Sequence, residues 1–229
     1  MLLGAVSSDA QQLIGTQGLM NIPTADMCKT GTFNGGVSYV GESVLTSRYN
    51  FNTGIYYVSF TPFDWVEITL RETLLKTWKK KNGVRKQGYY QQDRSTSLRL
   101  RPIKESKDRW WPSVAVGCND IYSDHGDSYY TAVYGAVTRH LDINAVGEIG
   151  ATVGYAHPFR AGCVYDGVFG GVDFRPSCLQ FLRVMAEYDT QGINVGVHAQ
   201  LFRHLNLMVM TREFNKLCAG LSYQYTIKY

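Results

Sequence analysis

The chain has 229 residues, of which 45% are hydrophobic and 18% are charged, and its formal net charge is +4. It has no run of about 18 consecutive apolar residues, which argues against a membrane-spanning helix. The net charge is too small to indicate a nucleic-acid partner. The 16 tyrosines and 23 glycines are instead typical of membrane β-barrels, in which tyrosines lie at the membrane interfaces and glycines pack in crowded walls.

The first 31 residues are predicted to precede the barrel wall. Residues 1–14 begin with a short apolar run and contain Ser8-Asp9-Ala10, a small-residue pattern typical of a cleavage site, so we interpret them as a signal-peptide remnant. Residues 15–31 have no hydrophobic period and are punctuated by proline and glycine. They predict an ordered N-terminal segment at the barrel mouth, and the barrel itself is assigned to residues 32–229.

The remaining sequence alternates between apolar and polar residues, which predicts β-strands. The alternation is clearest in the last strand, where every odd position from Leu217 to Tyr229 is apolar or aromatic. A soluble sheet would leave such a strand as a reactive edge, whereas a closed barrel in a bilayer has no edge. The pattern predicts an all-β fold, a transmembrane antiparallel barrel of about twelve strands, an even number as in bacterial outer-membrane barrels. The predicted strands lie near 32–40, 51–61, 66–73, 95–102, 113–120, 128–138, 143–155, 168–174, 180–189, 193–202, 206–212 and 216–229.

The connections between these strands differ in length. The longest is a polar loop predicted over residues 74–94, and a short turn is predicted at Arg139-His140-Leu141-Asp142. The long loop carries a group of basic residues: Lys79, Lys80, Lys81, Arg85 and Lys86. We interpret these side chains as candidate contacts for lipopolysaccharide phosphates or an anionic polymer, and a simply solvated loop is the alternative.

Charged residues also occupy the polar parity of the strands, which predicts that they face the barrel interior. This group comprises Glu67, Arg71, Arg99, Arg101, Glu148, Arg183, Glu187, Asp189 and His198. Two interpretations remain open. The charges line a narrow polar path for a hydrophilic chain, or they pair with one another and close the lumen, because buried charges must be paired.

The segment between the fifth and sixth strands contains the residue types of other functions. Ser123, Asp124, His125 and Ser128 supply the groups of a hydrolase, and Asp120, Asp124 and Asp127, with His125 beside them, offer oxygen ligands for calcium. However, catalytic triads seldom form between such close sequence neighbours, and the spacing is not that of an EF-hand. The five cysteines show neither a disulfide framework nor a paired metal motif. We therefore predict no catalytic residues, no metal and no cofactor.

Several stretches resemble the YjbH-like exopolysaccharide biosynthesis proteins of Gram-negative outer membranes. They are Gly18-Leu19-Met20-Asn21-Ile22-Pro23-Thr24-Ala25, residues 57–67 (YVSFTPFDWVE), Pro112-Ser113-Val114-Ala115-Val116-Gly117 with Asp120-Ile121, residues 166–172 (DGVFGGV) and Ala186-Glu187-Tyr188-Asp189. The resemblance covers about residues 15–200. It implies an outer-membrane barrel that serves the secretion or assembly of an extracellular or capsular polysaccharide, in a family whose typical member is much longer.

Together these features predict a non-enzymatic barrel of the bacterial outer membrane. Its expected partners are outer-membrane lipid and lipopolysaccharide, polysaccharide, and other envelope proteins in a complex, but not nucleic acid. Two alternatives stay open: a structural or accessory subunit of a larger envelope complex, and a small outer-membrane lipid hydrolase.

Overall fold

The computed structural model describes residues 10–45, 51–106, 108–125, 130–161, 163 and 165–227. Twelve strands, each antiparallel to its neighbours, form one closed barrel in which β1 pairs with both β2 and β12. Their bounds are β1 Thr32–Val40, β2 Thr53–Phe63, β3 Val66–Lys81, β4 Val84–Ile103, β5 Ser113–Ser123, β6 Ala132–Ile143, β7 Gly147–Pro158, β8 Gly167–Pro176, β9 Leu182–Tyr188, β10 Ile193–Leu201, β11 Leu205–Arg212 and β12 Lys216–Thr226. The prediction of a twelve-stranded outer-membrane-type barrel is confirmed.

The period-two pattern of the sequence explains which side chains face outward. In β12, Leu217 and Leu221 are exposed on the outer face, whereas Cys218 and Ser222 are buried on the inner face. The same division holds along β9, where Val184 is exposed between buried neighbours. A wall with an apolar exterior and a polar interior is the arrangement that suits a bilayer. Residues 228–229, which end the predicted last strand, lie outside the described residues.

Aromatic side chains collect at the end of the barrel where β2 turns into β3. The rings of Phe33 and Phe60 stack with centroids 4.1 Å apart, and those of Phe63 and Trp65 stack at 5.7 Å. Exposed aromatic rings at this level are typical of the girdle that barrels place at a membrane–water interface. In the described ranges, no helix is long and apolar enough to cross a bilayer.

The prediction of a long loop over residues 74–94 was wrong. Strands β3 and β4 continue through this region, and only Asn82 and Gly83 form the turn between Lys81 and Val84. Both turn residues have positive φ values, 51° and 80°, as a two-residue hairpin with an Asn-Gly turn requires. The alternation fades here because both faces of the extended hairpin are exposed to water, so neither face needs to be apolar.

The predicted turn at residues 139–142 was also wrong, because β6 continues to Ile143. The polar residues that suggested a turn bind a neighbouring connection instead. His140 Nδ1 lies 2.7 Å from Glu105 Oε2, and Arg139 Nη1 lies 3.3 Å from Glu105 Oε1. The chain reverses one step later, after Asn144, whose φ is 36°.

The interior of the barrel is filled by the chain's own N-terminal segment. We call residues 10–27 the plug, because all of them except the half-buried Asp26 are buried. Residues 10–14, which the sequence assigns to a signal-peptide remnant, lie in the plug together with the first part of the segment predicted at 15–31. Residues 1–9 lie outside the described residues, so the assignment of 1–14 stays a prediction.

A plugged lumen as the candidate functional site

The plug has its own apolar core inside the wall. Its buried apolar side chains are Ala10, Leu13, Ile14, Leu19, Met20, Ile22, Ala25 and Met27. All of them except Ala25 and Met27 join inward-facing wall residues in one hydrophobic cluster, which includes Tyr57, Tyr134, Phe169, Met185, Met208 and Met210. Burial of a large apolar side chain contributes roughly 1.5–3 kcal/mol, so several such side chains hold the plug firmly.

Glycines in the wall make room for plug side chains. A Cβ at Gly171 on β8 would lie 2.7 Å from Leu19 Cδ1, and a Cβ at Gly196 on β10 would lie 2.6 Å from Met20 Sδ. Within the plug, Gly15 has a φ of 89° and lies against the ring of Tyr57, where a Cβ would approach to 2.3 Å. The wall and the plug are therefore fitted to each other at specific positions.

The ion pair between Arg99 on β4 and Glu67 on β3 anchors one side of the plug. Its two atoms, Arg99 Nη2 and Glu67 Oε2, lie 2.7 Å apart, and both side chains are buried. The guanidinium also donates to three plug carbonyls, those of Gln17, Thr24 and Asp26, at 2.5, 2.9 and 2.7 Å. The backbone N–H of Gln17 in turn donates to Glu67 Oε1 at 3.0 Å. One charged pair thus binds the plug backbone at four points.

Two carboxylates at the end of β9 anchor the other side. Glu187 accepts hydrogen bonds from the backbone N–H groups of Met20 and Asn21, at 3.0 and 2.7 Å. Asp189 accepts from the Asn21 side-chain amide at 2.6 Å. It also receives Arg212 Nη2 from β11 at 3.0 Å, which supplies a neutralising cation. The bend of the plug at Met20–Asn21 is therefore held by groups that only the folded wall brings together.

Further ion pairs lie within the wall. Arg71 Nη2 lies 2.7 Å from both carboxylate oxygens of Asp120, and the two side chains are buried. The other pairs join Arg183 to Asp173 at 3.3 Å, Arg101 to Asp64 at 3.5 Å and Arg175 to Glu148 at 3.7 Å. All the predicted inward-facing residues except the half-buried Glu148 are buried, and the charged ones among them bind opposite charges or the plug.

Little space remains between the plug and the wall around His198 on β10. The cavity there has a volume of about 10 Å³ and is lined by the plug residues Gln11 and Gln12 together with inward-facing wall residues. That is about the room that one water molecule needs. This part of the lumen holds no path for a polymer.

The mouth of the barrel at which β1 connects to β2 is covered by connections between strands. Val44 and Leu45, in the connection after β1, are buried, and Arg212 Nη1 donates to the Val44 carbonyl at 2.5 Å. In the connection after β7, the Tyr165 ring is buried beside Tyr130, with centroids 5.5 Å apart. Burial raises the pKa of the Cys163 thiol in this connection to about 12, which favours its neutral form.

The predicted basic contacts lie on the hairpin of β3 and β4, far from the plug. Lys79, Lys80, Arg85 and Lys86 are exposed, and of the Lys81 side chain nothing is described. Lys79 Nζ lies 5.3 Å from the centre of the Tyr90 ring. At the root of the hairpin, an outward cavity of about 330 Å³ lies beside Tyr56, Glu72 and Arg94.

The hydrolase and calcium groupings are not assembled by the described residues. Ser123 Oγ donates to Asp93 Oδ1 at 2.8 Å, and the Asp120 carboxylate binds Arg71. Asp127 and Ser128 lie outside the described residues. Within the described ranges, no three His, Cys, Asp or Glu side chains are grouped to hold a metal ion.

Four charged residues with structural roles in the lumen were missed from the sequence: Asp93, Asp120, Asp173 and Arg212. Asp93 lay in the supposed loop, although it has the inward parity of β4. The Asp120 side chain is buried in the lumen because β5 is irregular there, with a φ of 53° at this residue. Asp173 and Arg212 stand at inward positions of strands that were predicted, so parity alone was sufficient to find them.

Comparison with known proteins gives one match over nearly the whole chain. A sequence model of the family described as exopolysaccharide biosynthesis protein YbjH (YjbH) matches residues 10–228. The uncharacterized lipoprotein YjbH of Escherichia coli (strain K12) is 34% identical over 113 residues, which cover 49% of this chain and 14% of that protein. The match therefore spans a small part of that relative's length.

Solved barrels with similar folds have very different sequences. The KdgM porin has a TM-score of 0.49 and 6% identity, covering 86% of this chain and 99% of its own. Omp33 of Acinetobacter baumannii has a TM-score of 0.43 and 9% identity, covering 86% of this chain and 97% of its own. The outer membrane phospholipase of Salmonella typhi has a TM-score of 0.39 and 12% identity, covering 84% of this chain and 90% of its own. At such TM-scores these similarities carry no argument about function.

Proposed function

Because the chain belongs to the family of exopolysaccharide biosynthesis protein YbjH, we propose that it acts in the assembly or secretion of an extracellular polysaccharide. In this proposal it is a closed, non-enzymatic barrel of the bacterial outer membrane. It contributes as a membrane-anchored accessory at the cell surface and does not itself conduct the polymer.

The observation that carries this proposal is the plug. A conducting barrel needs a continuous polar path, whereas here the lumen holds an apolar core between Leu19 and Met185 and an anchor at Arg99. The buried charged side chains bind the plug or pair with one another, because an unpaired buried charge is strongly destabilising. A surface role therefore suits this barrel better than transport.

The outer-membrane location is supported by the exterior of the wall. Outward residues such as Val58, Leu70 and Val153 are large, apolar and exposed, and they recur around the barrel. Such a surface is unfavourable in water and favourable in lipid. A non-enzymatic role is supported by Ser123, whose hydroxyl donates directly to a carboxylate rather than to an imidazole that would activate it.

Deletion of the gene in its native host tests the proposal. We expect extracellular polysaccharide to fall, and to recover when the wild-type gene is restored. The double substitution Ser123→Ala and His125→Ala is the matched control and should restore the polysaccharide fully. Unchanged polysaccharide in the deletion strain would contradict the proposed role, and failure of this double variant would contradict the non-enzymatic part of it.

A further inference from the structure

The hairpin formed by β3 and β4 extends beyond the strands on either side of it. The register of β2 reaches β3 at Thr73, and the register of β5 reaches β4 at Ser95. The eight residues from Leu74 to Lys81 therefore extend further, which is about 27 Å of strand. In the described part of the chain, residues 77–88 pair only with one another.

The extended part of the hairpin is strongly basic. Residues 74–94 contain seven lysines and arginines against one acidic residue, the buried Asp93, and this excess of six positive charges is larger than the net charge of +4 of the whole chain. At the tip, Lys79 lies opposite Lys86 and Lys80 lies opposite Arg85. Like charges directly across an antiparallel pair are destabilising, so these pairs do not serve the stability of the hairpin.

One face of the hairpin combines these cations with aromatic rings. Residues paired across the strands share a face, so Lys76 with Tyr89, Trp78 with Gln87, and Lys80 with Arg85 form one row. Trp78 is 62% exposed at the centre of the row. Lys76 Nζ lies 5.4 Å from the Tyr89 ring centre, which holds this cation on the face.

We infer that this row, Lys76, Trp78, Lys80, Arg85 and Tyr89, is a binding site for an acidic polysaccharide. The inference rests on the proposed function and names the polymer class that the barrel contacts. The cations bind carboxylates through charge-assisted hydrogen bonds. The indole offers an apolar face on which the C–H side of a sugar ring stacks.

The dimensions of the row favour a polymer over a lipid head group. Lys76 and Lys80 are four residues apart, about 13 Å along the strand, so a single small anion cannot reach both. An extended chain with repeated carboxylates reaches both and covers the tryptophan between them. The row also lies beyond the ends of the adjacent strands β2 and β5, whereas lipid head groups are confined to the membrane surface.

The test uses the full barrel in detergent with alginate as the acidic polymer and dextran as the neutral one. We expect wild type to bind alginate but not dextran, and the affinity to fall as salt rises. The double substitution Lys79→Glu and Lys80→Glu should weaken alginate binding at least about tenfold. It should not unfold the hairpin, because each glutamate then faces a cation, Lys86 or Arg85.

Two further variants distinguish binding at this row from non-specific attraction between alginate and the positive charge of the protein. Lys29→Glu with Arg109→Glu makes the same change of net charge at exposed positions on the opposite end of the barrel, and should bind alginate as wild type does. Trp78→Ala keeps every charge and should still weaken binding.

Three results would overturn the inference. They are no alginate binding by wild type, equal binding by Trp78→Ala and wild type, and hairpin-dependent binding to lipopolysaccharide vesicles alone. If the gene deletion abolishes the polysaccharide while alginate does not bind, the proposed function stands and only the inference falls.

Discussion

At the scale of single residues, Arg99 shows how one side chain joins the wall to the plug. It is 1% exposed, it pairs with Glu67, and it donates to three plug carbonyls. A buried guanidinium without such partners would carry a large desolvation cost. Its several donors, arranged in a fixed plane, allow it to bind a carboxylate and a bent backbone at the same time.

Substitution of Arg99 by methionine is expected to lower the free energy of unfolding by about 3–5 kcal/mol, because it leaves the Glu67 carboxylate buried and unpaired. Urea unfolding of the refolded barrel in vesicles measures this loss. The double variant Arg99→Met with Glu67→Leu is the control, and it should recover part of the loss because no unpaired charge remains. Equal stability of wild type and Arg99→Met would contradict the role of this residue as an anchor.

The inward position of Arg99 could be predicted from the sequence, but its partners could not. Parity along a strand reveals which face a residue occupies, and it placed Glu67, Arg99 and Glu187 on one side of the wall. It does not reveal that all three bind a segment 50 or more residues earlier in the chain. The plug has no hydrophobic period, because its backbone forms turns and isolated bridges of its own and is otherwise bound by wall side chains, so it has no regular strand or helix.

At the scale of elements, the plug and the wall fit through close contacts at wall glycines. Because Gly171 has no side chain, the Leu19 side chain occupies the space on the inner side of the wall at this position. In the sequence, Gly170-Gly171 falls in a predicted strand, where glycine indicates a bulge or close packing. It gave no indication of what approaches the glycine, because the partner is distant in the chain.

Gly171→Ala is expected to loosen the plug while leaving the strands paired. The added Cβ would lie 2.7 Å from Leu19, 2.8 Å from Glu187 and 2.9 Å from the Ala186 carbonyl. Such overpacking costs roughly 1–3 kcal/mol. We expect a lower unfolding midpoint and faster chymotrypsin cleavage within residues 10–27, read by mass spectrometry.

Gly135→Ala is the matched control for this substitution. Gly135 is also a strand glycine, but a Cβ there would meet no atom within 4 Å. Its unfolding and its cleavage pattern should equal those of wild type within about 0.5 kcal/mol. If both alanine variants behave alike, the contact between Gly171 and Leu19 does not hold the plug.

The hairpin of β3 and β4 shows that a strand outside the barrel wall lacks hydrophobic alternation, so the pattern does not predict it. The pattern arises from a wall with lipid on one side and a packed interior on the other. Beyond the wall both faces contact water, so strand residues there look like a polar loop. The Asn82-Gly83 pair was the remaining local signal for a hairpin turn.

At the scale of the whole molecule, the barrel combines two kinds of core. The apolar exterior suits lipid, and the lumen has a hydrophobic cluster and paired charges like those of a soluble domain. A barrel of this size has an interior only somewhat wider than its own side chains need. One short segment is therefore enough to fill it, and the inward charges bind one another or the plug.

Electrical measurement across a planar bilayer tests the closed lumen directly. Wild type is expected to be silent, because the plug residues are buried and the space beside His198 is about 10 Å³. A refolded variant that lacks residues 10–27 should give discrete current steps, since the twelve strands pair with one another without help from the plug. Its folding is checked by the mobility shift between heated and unheated samples on a gel.

Comparison of wild type with the deletion variant shows whether the plug or the wall closes the lumen. Steady conductance by wild type would mean that the plug leaves the lumen in the membrane, and the barrel would then be a transport route rather than a surface accessory. Silence of the folded deletion variant would mean that the connections between strands or the inward side chains close the lumen by themselves. The expected pair of results, silence with the plug and current without it, assigns closure to residues 10–27.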